Sequence, residues 1–225
     1  MWTRSELKSK AKVALHANYW LNVGVIFLFV LISGVISGVG TKLGTVAAGV
    51  TVIVSFFLTI PLCVSQARFV LNSIDGKGDA GDIGFCFSSS YLNIVIVEFL
   101  TQLFIFLWTL LLIVPGIIKS YEYRMVTYIL AENPDINYKD ALDQSKAMMD
   151  GHKMDTFVLD LSFIGWALLS TITMGIVGIF YVNPYVALTG GELYLTLKGL
   201  KASDNTASNE TTDTASDDSN NGTTL

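Results

Sequence analysis

The chain has 225 residues, 52% of them hydrophobic and only 15% charged, against about 25% charged in an ordinary soluble domain, so it lacks a soluble protein's surface. Five acidic and no basic residues follow Lys201, which leaves 14 basic and 14 acidic residues in the body and assigns the net charge of -5 to the tail. A neutral body argues against a nucleic-acid surface, which needs clustered cations to displace phosphate counterions, and two cysteines, Cys63 and Cys86, make no disulfide framework.

Residues 1–19 form a basic amphipathic segment, with Trp2, Leu7, Val13 and Leu15 suited to an apolar surface and Arg4, Lys8, Lys10 and Lys12 to anionic lipid. Residues 20–40 then run without a charge, and about 20 helical residues cross the ~30 Å hydrocarbon layer. A second uncharged stretch, 43–67, follows after the short turn at Gly40 to Lys42, so the two predict a helical hairpin. Small residues four apart, Ser33, Gly34, Ser37 and Gly38 on the first helix and Gly44 and Ala48 on the second, suit close packing within that hairpin or self-association.

From Ser73 to Ser90 glycines and aspartates predict a hydrated loop. Hydrophobicity resumes over 91–114 and stops at Pro115 and Gly116, which remove a backbone donor and permit a turn. The stretch 117–131 carries Lys119, Glu122 and Arg124, each costly at mid-membrane. It either lies along the surface or spans with its polar groups facing other helices; the second closes the topology and is adopted here. Asn137 is placed to cap a helix over 138–150, whose apolar face (Ala141, Leu142, Ser145, Met148, Met149) suits a bilayer surface or a partner.

Between Asp160 and Glu192 lie 31 uncharged residues, too long for one span, and Asn183-Pro184 is taken as the break, giving helices 155–182 and 184–200. Residues 201–225 are too polar to bury anything and are expected to be disordered. The expected class is therefore all-α: a polytopic bundle of six transmembrane helices in three hairpins, with amphipathic cytoplasmic helices and a disordered acidic tail. Six crossings with both termini cytoplasmic put eleven basic residues inside and at most Lys42 and Lys119 outside.

The runs LLLIVPGIIKSYEYRMVTYILAENPDI, DALDQSKAMMDGHKMDTFVLDLSFIGW and TMGIVGIFYVNPY, with ARFVLN at Ala67 to Asn72, carry a family pattern. The chain resembles the uncharacterised bacterial integral membrane proteins grouped as domain of unknown function 975. The resemblance implies a multi-pass protein of the bacterial cell membrane and supplies no catalytic residues to transfer.

No metal, nucleophile or phosphate-loop spacing is present: His16 and His152 lack a second ligand at metal-binding distance in sequence. No cofactor and no enzymatic activity are expected. The candidate polar site is intramembrane: Arg124, Glu192, Glu122, Glu98 and Gln102. Arg124 lies nine residues beyond Pro115 and Glu192 eight beyond Pro184, so equal depths at 1.5 Å per residue predict an Arg124–Glu192 pair. Expected partners are the bilayer and another membrane protein or a second copy. The function read from this is a non-enzymatic accessory or scaffold protein, with a small transport or permeation module as the alternative.

Overall fold

The computed structural model describes residues 2–17, 19–40, 44–88, 90–173 and 175–217, and among them every regular element is helical. In chain order these are α1 (Arg4–Ala17), α2 (Tyr19–Gly40), α3 (Gly44–Ile74), a 3-10 turn (Ala80–Gly84), α4 (Phe85–Ser88), α5 (Tyr91–Leu111), α6 (Ile113–Glu122), α7 (Val126–Glu132), α8 (Tyr138–Met149), α9 (Lys153–Leu161), α10 (Ile164–Ile172), a π-helical turn (Gly178–Val182) and α11 (Asn183–Asp217). Helix α2 packs on α3, α5 on α6, and α10 on the π turn, which makes three hairpins. Among the described residues two stretches, Tyr91–Leu111 and Lys153–Ile172, are long and apolar enough to cross a membrane.

One end of the molecule is a packed helical body. Leu7 and Leu15 of α1, Val64 and Val70 of α3, Ile94 and Val97 of α5, Leu130 of α7, Met149 of α8, and Leu188, Leu193 and Leu197 of α11 are all buried there. The other end, toward the hairpin tips, leaves Phe106, Leu110, Leu111, Leu112, Ile113 and Val114 uncovered on one hairpin and Leu168, Ile172 and Ile176 on another.

The second hairpin turns at Leu112, whose extended backbone (φ -156°, ψ 132°) closes α5 and opens α6 at once. Pro115 sits in the first turn of α6, where its missing N–H is no loss. Gly116 is required by proximity: a Cβ there would lie 2.6 Å from the Cα of Thr109 and 2.8 Å from its Cβ. The third hairpin repeats the device, since a Cβ at Gly178 would overlap the Ser170 hydroxyl.

Several boundaries differ from expectation, each for a physical reason. The break placed at Asn183-Pro184 lies instead at Thr173 to Gly175, where Gly175 takes φ 87°, a conformation natural to glycine. Pro184 is absorbed in a helical run: it follows a π-helical turn in which the Asn183 N–H bonds the Gly178 carbonyl, and the Tyr19 hydroxyl donates to the Phe180 carbonyl at 3.1 Å. Tyr185, next in the chain, is buried in the body. Helix α3 continues past Ala67 to Ile74 because Val70 and Leu71 bury in the body and Phe69 against Val25 and Leu62, and the helix ends just before Gly76, which takes φ 73°.

The stretch 117–131 is split at Tyr123 to Met125. The Ser145 hydroxyl of α8 donates to the Glu122 carbonyl (2.8 Å) and accepts the Met125 N–H (3.2 Å), filling the backbone positions the break opens. Helix α11 continues to Asp217, into the segment expected to be disordered, as a helix already nucleated by packing adds one hydrogen bond per residue. Residues 218–225 and the turn residues Thr41 to Leu43 lie outside the described residues.

Both amphipathic helices are turned inward. The Leu7, Ala11 and Leu15 face of α1 packs mainly on α11, and the Ala141, Leu142, Ser145, Met148 and Met149 face of α8 is buried against α5, α6, α7 and α11. Neither face is free for a bilayer or a partner, because the body offers each a larger apolar contact. Lys8 reaches across to the Ser162 hydroxyl (2.6 Å) and over the Phe163 ring; this burial, with Arg4 and Lys12 nearby, holds its ammonium below the ordinary range. The Asn137 side chain caps α8 as expected, accepting the Lys139 N–H at 3.1 Å. Around Gly34 a Cβ would meet nothing within 4 Å among the described residues, and the side-chain positions of Ser33, Ser37, Gly38, Gly44 and Ala48 lie outside them.

Candidate functional site

A cavity of about 270 Å³ lies where three elements meet. Helix α3 contributes Cys63, Gln66, Ala67 and Val70, the α6–α7 junction contributes Arg124, Thr127 and Tyr128, and α11 contributes Ala187. The chain break held open by Ser145 positions the wall, because it lets Arg124 and Thr127 leave the regular helix face. Gly190 admits the Tyr128 ring: a Cβ there would stand 2.5 Å from the Tyr128 hydroxyl oxygen. The same ring stacks on Tyr194 at 5.5 Å, and the Tyr194 hydroxyl donates to Glu132, which also pairs with Lys198.

Arg124 is ion-paired from outside the cavity through one of its nitrogens. Its Nη1 donates to Asp160 Oδ2 at 2.5 Å, and the Tyr121 hydroxyl donates to the same oxygen at 2.9 Å. On the other side Thr127 Oγ1, in the wall, donates to the buried Glu98 at 2.6 Å. One cation therefore lines the space, and the nearest carboxylates, Asp160 and Glu98, stand behind it already hydrogen-bonded.

The structure brings Arg124 and Glu98 to this one place and separates the other expected members. Arg124 pairs with Asp160 and not with Glu192. The expected pair assumed a turn at Pro184; with the turn at Gly175, Glu192 lies 17 residues from it, whereas Arg124 lies 12 residues from the turn at Leu112 and Asp160 13 from that at Thr173. At 1.5 Å per residue these are roughly 26, 18 and 20 Å, so Asp160 is level with Arg124 and Glu192 is a turn or more deeper. Glu192 is buried on α11, beside Gly191, which fits closely against Val70 and Ile74 of α3.

Glu122 belongs to a different cluster. Its carboxylate takes Lys119 at 2.9 Å and Lys153 at 3.1 Å, tying α6 to the start of α9. Gln102 is exposed on α5 and joins neither group. Sequence reasoning missed Asp160, Tyr121, Tyr128, Thr127, Gln66 and Cys63. Asp160 was legible had Gly175 been taken as the turn; the neutral residues carry no signal until three helices converge. Among the described residues no group of three or more His, Cys, Asp or Glu is placed to hold a metal ion.

Comparison with known proteins gives one match. Residues 109–201 match the model of a family described as "Protein of unknown function (DUF975)". No curated protein and no solved structure matches the chain.

Proposed function

We propose, from the premise that residues 109–201 belong to this family of unknown function, that the chain is a multi-pass membrane protein. In this reading three helical hairpins cross a bacterial cell membrane, both termini are cytoplasmic, and the protein acts as a non-enzymatic accessory that holds lipid or a partner membrane protein. The observation that carries it is the uncovered apolar end: Leu110, Leu111, Ile113, Val114 and Ile172 are each two-thirds or more exposed. Leaving such side chains in water forgoes about 1.5–3 kcal/mol apiece, and a contiguous patch of this kind on a soluble monomer marks a membrane or protein contact. The packed body then lies on the cytoplasmic side, where the exposed Arg4, Lys10 and Lys12 of α1 suit anionic headgroups.

Alkaline carbonate washing of isolated membranes tests the embedding: the protein should stay in the pellet, and its release would sink the reading. Mild detergent extraction tests the accessory role. A stoichiometric membrane partner, or a lipid class enriched over the bulk membrane, is expected; a chain that purifies alone with bulk lipid contradicts it.

A second reading, a small transport or permeation module, is favoured by one observation, the polar cavity at Arg124 among helices of all three hairpins. Its test is solute flux into vesicles reconstituted with the full chain, compared with the Arg124→Leu variant. Equal leakage in protein-free vesicles would remove it.

A further inference from the structure

We propose that the cavity at Arg124 is a binding site for a small oxyanion, a phosphate or carboxylate group. Among the described residues the wall carries a single charged side chain, and it is positive: Arg124 stands among Cys63, Gln66, Ala67, Val70, Thr127, Tyr128 and Ala187. A guanidinium offers five N–H donors in a planar fork. Asp160 takes Nη1, the one Arg124 donor with a hydrogen bond among the described residues. The Gln66 amide and the Tyr128 hydroxyl, from two different elements, also border the space and make no hydrogen bond among the described residues.

Polar groups held between helices at this depth find partners or mark a ligand path. Here Arg124, Gln66 and Tyr128 border one space, while Asp160 is charge-balanced by Arg124 and the Glu98 carboxyl is hydrogen-bonded to Thr127. Size sets the class further. About 270 Å³ has the volume of roughly nine waters at ~30 Å³ each, enough for a phosphate-sized group with its residual hydration and below the usual ~300–1,000 Å³ of larger ligands. A whole lipid does not fit, but the phosphate of a headgroup does, so a lipid and a free anion are two sources of one chemistry.

The site deepens the second reading without depending on it, since an anion can be held and never released across a membrane. The test uses the full chain in detergent, with thermal unfolding followed against inorganic phosphate, acetate and phosphatidic acid in mixed micelles, each at constant ionic strength against chloride. A saturable stabilisation by at least one of them is expected, and phosphorus NMR should show a broadened, shifted signal for bound phosphate. Response to phosphate or acetate identifies a free anion as sufficient; response to phosphatidic acid alone identifies the headgroup.

Gln66→Leu with Tyr128→Phe leaves the Arg124–Asp160 pair in place and should weaken the apparent affinity about tenfold or more, as should Arg124→Lys, which keeps the charge but loses the fork. No saturable response to any of the three ligands overturns the proposal, as does a response unchanged in both variants. Flux in vesicles without anion binding overturns the site alone; binding without flux supports the site and counts against transport.

Discussion

The Tyr91 hydroxyl donates a 3.1 Å hydrogen bond to the carbonyl oxygen of Phe57, four residues before Pro61. Pro61 lies inside α3 and has no N–H, so this is the carbonyl an α-helix would leave unpaired. Tyr19 makes a similar bond to the Phe180 carbonyl, in the π-helical turn that precedes Pro184. Each tyrosine opens a helix that begins a hairpin, and Tyr91 supplies from another helix the donor that Pro61 removed.

Tyr91→Phe should therefore lower stability in detergent by about 1 kcal/mol, the typical net value of one hydrogen bond. In a Pro61→Ala background, where α3 can pair the Phe57 carbonyl itself, the same substitution should cost clearly less. Equal costs in the two backgrounds, measured by chemical denaturation, would show that the bond is not compensating for the proline.

The Arg124–Asp160 pair predicts strong coupling. Arg124→Met and Asp160→Leu should each cost about 1–3 kcal/mol, less than a fully buried pair because the side chains remain 25% and 33% exposed. The double variant should cost less than the sum, whereas Arg124→Met and Glu192→Leu should add. Coupling with Glu192 in place of Asp160 would contradict the placement of the third turn.

The two close-approach glycines should respond differently to repair. Gly116→Ala meets the Thr109 backbone, so Thr109→Ala should not rescue it; Gly178→Ala meets mainly the Ser170 hydroxyl, so Ser170→Ala should. Overpacking of this kind costs about 1–3 kcal/mol. Thermal unfolding of the four single and two double variants reads both results, and rescue at Thr109 or failure at Ser170 would contradict the packing.

Topology is checked by impermeant thiol labelling of intact cells, in a chain whose Cys63 and Cys86 are replaced by alanine. Thr41→Cys should react and Ser208→Cys should not. The reverse pattern would invert the orientation that the basic residues imply.

The amino-acid sequence by itself determined the helical class and the capped helix α8, because long uncharged runs and an N-cap are local signals that one stretch of chain carries alone. It also marked Arg124 and Glu98 as polar groups in costly positions. Tertiary structure decided the rest. Nothing in the sequence from Tyr123 to Met125 breaks a helix, yet Ser145 of α8 makes the break favourable by supplying both hydrogen bonds. Nothing near Pro184 says that a helical run will pass through it, and with the turn at Gly175 instead Arg124 meets Asp160. The apolar faces of α1 and α8 have the pattern of surface helices, and only the presence of a larger apolar partner within the chain decides that they are buried. Amphipathicity states that a face must be covered, and the assembled fold chooses what covers it.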